Sequence, residues 1–155
     1  MREAVSIRGL TLGAGRFPAA SPPSLGASRT TLSFTMVHFR FEDLEIWRLA
    51  CDLAVECHKV ADRLEQSKLF RYAEQLRAAG LSVSNNIAEG SGSLHRSEFR
   101  QFLNIARRSD FECASMLHVF RRLEILTEEE TTALLDRCDE ISRKIVNYAK
   151  SLKDA

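Results

Sequence analysis

The sequence predicts an all-α fold, an up-down-up-down antiparallel four-helix bundle. Four stretches carry apolar residues at three- and four-residue steps, the repeat of one helix face. The breaks between them are short, which makes consecutive helices antiparallel neighbours. The second stretch is lined with small residues, as the tightly packed centre of a bundle requires. With 155 residues the chain suits one domain with a single buried core. Apolar residues at 45% and charged residues at 28% fit a globular protein.

The first helix is expected over 43–66. Leu44, Trp47, Cys51, Ala54, His58 and Ala61 form one stripe, and Ile46, Ala50, Leu53, Cys57, Val60 and Leu64 form a second beside it. That apolar arc is wider than one core needs, so this helix is expected to pack against another subunit as well. Ser67 is the expected N-cap of a second helix over 68–89. Its stripe is Leu76, Gly80, Val83 and Ile87, surrounded by Ala78, Ala79, Ser82, Ser84 and Ala88. A glycine within a helix costs about 1 kcal/mol against alanine, so Gly80 implies a close helix crossing. Of Asn85 and Asn86, at least one should be buried and hydrogen-bonded. Glu89-Gly90 is expected to close the helix, with Gly90 as a left-handed cap.

A third helix is expected from His95 to Glu124, on Phe99, Phe102, Ala106, Ser109, Cys113, Met116, Phe120 and Leu123. Ala106 and Ser109 are small at its middle, where the second helix should cross. Thr127 to Glu130 reads as a capping box opening the fourth helix. The stripe of that helix is Leu134, Cys138, Ile141, Ile145, Tyr148 and Leu152. Lys150 and Lys153 suit the negative end of its dipole.

Ser82-Val83 followed by Asn86-Ile87-Ala88-Glu89-Gly90 resembles the N-I-A-E-G signature of a bacterial four-helix-bundle family. Its founding members are encoded in intervening sequences of 23S ribosomal RNA genes, and a related branch is the accessory variability protein of diversity-generating retroelements. The likeness extends from Phe41-Glu42-Asp43-Leu44 and Ile46-Trp47, through Gln75-Leu76-Arg77, to Phe99, Phe102-Leu103, Ile105-Ala106, Ser109 and Glu112. It covers 39–152 and makes Gly80, Ser82, Asn86, Ile87, Glu89 and Gly90 its structural motif. The resemblance implies a homo-oligomer, a pentameric ring in the retroelement branch, with basic surfaces that engage nucleic acid.

Residues 36–155 are expected to form the bundle. Residues 1–35 are rich in glycine, proline, serine and alanine and lack periodicity. They read as a disordered leader, as an organelle transit peptide, or as a mis-assigned upstream extension. In the last case Met36 is the true start, because members of the family begin just before the Phe-x-x-Leu segment.

No Glu-x-x-His occurs, as a carboxylate-bridged metal bundle would need. The Gly90-Ser91-Gly92-Ser93 turn lacks the strand and lysine of a phosphate loop. Cys57 and His58 are consecutive on a helix, about 100° apart, and do not face one another as nucleophile and base would. His58 therefore reads as a core or subunit-interface residue, and Glu89 as a capping or ion-pairing group in preference to a lone catalytic acid. Cys51, Cys57, Cys113 and Cys138 make no C-x-x-C pair and read as buried reduced thiols of a cytoplasmic protein in preference to zinc ligands. No enzyme activity, cofactor or metal is expected. No apolar run approaches the ~20 residues of a membrane span.

A net charge of +1 counts against strong non-specific nucleic-acid binding, so any polyanion site must come from local placement. Arginines crowd the third helix. Arg96, Arg100 and Arg107 share a face, with Arg108 beside them, and these four are the candidate nucleic-acid-binding residues. The alternative is a solvated face with ion pairs. The expected role is a non-enzymatic, homo-oligomeric RNA-associated or nucleoprotein accessory scaffold; the alternative is a protein-interaction module that binds no RNA or DNA.

Overall fold

Each periodic stretch forms a helix in the computed structural model, which describes residues 37–152. A short 3₁₀ turn, Arg40–Asp43, leads into α1 (Glu45–Gln66), α2 (Phe70–Ser91), α3 (Arg96–Arg122) and α4 (Glu128–Ser151). The readings of residues 1–35 lie outside the described residues. Helix α1 packs on α2, α2 on α3 and α3 on α4, and α4 returns to α1 along a thinner seam. The α1–α2 side of the bundle is therefore opposite the α3–α4 side.

The core is built from the predicted stripes of α2 and α4 and the inner stripe of α1. On α3 the unpredicted Leu103 and Leu117 join Phe99, Ala106, Cys113 and Phe120 inside, while Phe102 and Met116 are half-buried and Leu123 is exposed. Leu53, Leu64, Leu76, Ile87, Leu103, Leu117, Phe120, Ile141 and Ile145 are fully buried or nearly so, and each such side chain contributes about 1.5–3 kcal/mol of transfer free energy. Of the two stripes on α1, the one from Ile46 to Leu64 faces the core. The other is half-buried along Leu44, Trp47, Cys51 and Ala54. Phe41 packs its ring 4.8 Å from Trp47, and Arg40 donates to the Ser91 carbonyl at 3.1 Å, tying the 3₁₀ turn to the end of α2.

Close helix approach explains both glycines of the motif. A Cβ on Gly80 would lie 3.0 Å from Cys57 Cβ and 3.4 Å from the Cα of Ala54, so α1 crosses α2 here. A Cβ on Gly90 would lie 2.5 Å from a Phe99 ring carbon and 2.6 Å from Phe102 Cβ. Gly90 is not the left-handed cap expected from its position. The helix runs on to Ser91, and its cap residue Gly92 has an ordinary right-handed φ of −79°.

Ser67 is likewise not the N-cap of α2 but the C-cap of α1. Lys68 takes a left-handed φ of 60°, its N–H bonds the Glu65 carbonyl, and the Leu69 N–H reaches back to Leu64, both at 2.8 Å. That is a Schellman termination, and it delays α2 to Phe70. Helix α3 ends the same way: Glu124 has φ 59°, with Glu124 N–H on Arg121 and Ile125 N–H on Phe120. The predicted capping box of α4 is present, with Thr127 Oγ1 accepting from Glu130 N–H at 3.2 Å and Glu130 Oε2 accepting from Thr127 N–H at 2.8 Å.

Candidate functional site

The small face of α2 meets α3 through side chains that hydrogen-bond each other. The Ser82 and Ser109 hydroxyls lie 2.8 Å apart, and Asn86 Nδ2 donates to the Ser82 carbonyl at 2.7 Å and the Ser82 hydroxyl at 3.0 Å. Asn86 is half-buried and Asn85 exposed, so neither amide is fully buried as expected. The motif residues are thus a packing device: Ile87 fills the core, Gly80 and Gly90 admit neighbouring helices, and Glu89 stays exposed.

Beside Ser109 stands a group that periodicity alone did not single out. Asp110 is fully buried and no hydrogen-bond partner reaches either of its carboxylate oxygens. Burial pushes its carboxyl up to about 7, against smaller opposing effects of the Cys138 thiol and the Arg107 charge. Cys57, Cys113 and Cys138 are buried free thiols, and Cys51 is half-buried and free. The Cys113 thiol is pushed up by its contact with Cys57 and by burial. Among the described residues no group of three or more His, Cys, Asp or Glu side chains is arranged to hold a metal ion.

The four candidate arginines separate. Arg100 and Arg107 line one groove of about 220 Å³ between α3 and α4, and Lys150 joins them from the facing helix. Asn104 is the other polar residue there, and no acidic side chain lines the groove. Arg107 is anchored: its Nε donates to Ser142 Oγ at 2.9 Å, and its guanidinium lies 4.4 Å from the Phe111 ring centroid. Arg96 opens α3 and is exposed. Arg108 is exposed on the adjacent face, about 100° around the helix from Arg107, and does not line the groove. From spacing alone Lys150 reads only as a helix-dipole partner, because its place in the groove depends on the register of α4 against α3, which one helix's spacing does not encode.

His58 is a surface residue, which overturns the core reading. Its side chain is 62% exposed, and Nδ1 accepts from Arg77 Nε at 3.2 Å. The Arg77 guanidinium also bridges Asp62 and Glu65, which keeps this edge of α1 polar.

The family model of the 23S rRNA-intervening sequence protein matches residues 42–147, nearly all of the bundle. The chain belongs to that family. A solved structure of a protein of unknown function from the S23 ribosomal protein family, from Bacteroides thetaiotaomicron, is similar in fold. It is 24% identical, with a TM-score of 0.65 over 68% of this chain and 98% of that one. No curated protein sequence matches at a significant level. In this member of the 23S rRNA-intervening sequence family, Ser82 and Gly90 of the motif pack against α3 and Gly80 packs against α1. No helix among the described residues is long and apolar enough to cross a membrane.

Proposed function

We propose that this 23S rRNA-intervening sequence family member is a cytoplasmic, non-enzymatic, homo-oligomeric scaffold that engages RNA through the α3–α4 groove. The observation that carries the reading is the convergence of Arg100, Arg107 and Lys150 on one open groove without an acidic side chain. Phosphates are bound by such clustered cations with release of condensed counterions. Arg107, held by Ser142 and Phe111, is positioned to present its remaining donors in a fixed direction. Arg100 and Lys150 are exposed and supply mobile charge. The family's association with ribosomal RNA genes makes structured RNA the first ligand to test.

A protein-interaction role without nucleic acid is the second reading. It is favoured by the exposed apolar residues Val55 and Leu81 on the opposite side of the bundle.

Binding of the full chain to a labelled structured RNA across a salt series tests the proposal. Affinity is expected to fall steeply with salt. Arg100→Glu combined with Lys150→Glu, which leaves the anchored Arg107 in place, should flatten the slope by about two phosphate contacts. Unchanged binding in that variant would remove the groove from the reading, and no wild-type binding at low salt would leave the protein-interaction role.

A further inference from the structure

An exposed aromatic ring continues the cation row on α3. Arg100, Asn104, Arg107 and Phe111 follow one another at four-, three- and four-residue steps, so they share one face of the helix over about 16 Å of its length. Phe111 is 51% exposed. A single exposed apolar residue is ordinary on a protein surface. This one differs in being set against a fixed cation: the Arg107 guanidinium lies 4.4 Å from the ring centroid, and its Nε is held by Ser142 Oγ at 2.9 Å. Ring and guanidinium keep their places without a ligand, and half of Phe111 stays open to solvent. Asp139 on α4, whose charge reaches this part of α3, is met by Arg143 at 2.7 Å.

A fully paired duplex has no use for such a ring, because its bases are stacked inside and it offers phosphates, sugars and base edges only. An unpaired nucleotide offers a flat face as well. We propose that the groove takes an unpaired segment of RNA, one base of which stacks on Phe111 while the adjoining phosphates lie on Arg107, Arg100 and Lys150. This rests on the RNA reading above and names the form of RNA that the site accepts. Phe111 stands one turn beyond Arg107, about 6 Å along the axis, which lets a base and its own phosphate be held together. Asn104 is exposed between the two arginines, and its amide can donate to and accept from a base edge or a ribose hydroxyl. Every base has a flat face, so stacking selects single strands without selecting a sequence.

The test compares a short oligouridylate with a blunt, fully paired RNA duplex of equal charge, each titrated with the full chain across a salt series. Wild type is expected to favour the oligouridylate. Phe111→Leu keeps an apolar side chain at an exposed position and should leave the helical circular dichroism unchanged. It should weaken oligouridylate binding roughly 5- to 100-fold, the loss of one stacked base, with the salt slope kept. Duplex binding should hardly change. Phe111→Trp should restore the affinity, and its indole emission should be quenched by the bound strand above the background of Trp47. A loss in Phe111→Leu that is equal for both RNAs and flattens the salt slope would mean that the ring only anchors Arg107, and would overturn the stacking. So would an unchanged oligouridylate affinity in Phe111→Leu while Arg100→Glu with Lys150→Glu still weakens binding; the groove reading would then stand without it. Wild type that binds neither RNA at low salt would overturn both.

Discussion

A carboxylate enclosed without a partner must stay protonated or destabilise the fold, and Asp110 is in that position. Its folded pKa of about 7 lies above the usual 3.8, the reverse of the salt-bridged case. Between those values the folded chain holds a proton that the unfolded chain has released, so this contribution falls as pH rises from about 4 to 7 and is level above. His38, raised by its hydrogen bond to Asp43, changes in the same direction: its stabilisation is full below 6.5 and is lost as pH passes its raised value. Glu65 and Glu130, lowered by Arg77 and Arg63, change in the opposite direction, at and below 4.5. Comparing wild type with Asp110→Asn isolates the buried group. Urea unfolding should show the wild type losing stability relative to the variant from pH 5 to 7, and a constant difference across that range would place the Asp110 titration elsewhere. The two motif glycines differ in the same way that their surroundings do. Gly80→Ala gains about 1 kcal/mol of helix propensity against a contact at 3.0 Å, and should be near neutral. Gly90→Ala places a carbon 2.6 Å from Phe102 Cβ, where only a backbone shift gives room, and should cost about 1–3 kcal/mol by thermal unfolding.

The elements were largely legible, because their stripes are long and regular. Each helix lies within two residues of its expected bounds, and the Thr127 box formed from the residues that predicted it. The misreadings share one cause. Glycine predicts a helix end, yet Gly90 is a packing residue, and among the described residues the left-handed helix terminations fall on Lys68 and Glu124. Those Schellman bonds are held by burial around them: Leu69 and Ile125 are partly buried against the core just past each helix end, and no local propensity signals that. A left-handed side-chain residue costs roughly 1–2 kcal/mol. Lys68→Gly and Glu124→Gly should therefore each raise stability by several tenths to about 1 kcal/mol, net of the extra freedom glycine gives the unfolded chain. A melting temperature unchanged or lowered in both variants would mean that their side chains contribute contacts outweighing the strain.

At the scale of the whole molecule, what could not be read from spacing was which faces meet. The arginines on α3 were visible as a row, but the row divides once α4 is laid alongside, with Arg107 drawn toward Ser142 and Lys150 brought in from another helix. The wide apolar arc of α1 was visible too. Its inner stripe became core, and its outer edge became the groove beside Val55. The two sides of the bundle thus differ in character, one lined by cations and one by exposed apolar side chains.

The ion pair between Glu45 and Lys144, at 2.8 Å, joins the first turn of α1 to the late turns of α4. The bundle's path through space is accordingly almost a closed loop, and the place where it is cut into a beginning and an end is arbitrary as far as packing is concerned. A permuted gene that opened the chain at the Gly92-Ser93 turn and joined α4 to the 3₁₀ turn would specify the same four seams in a different reading order.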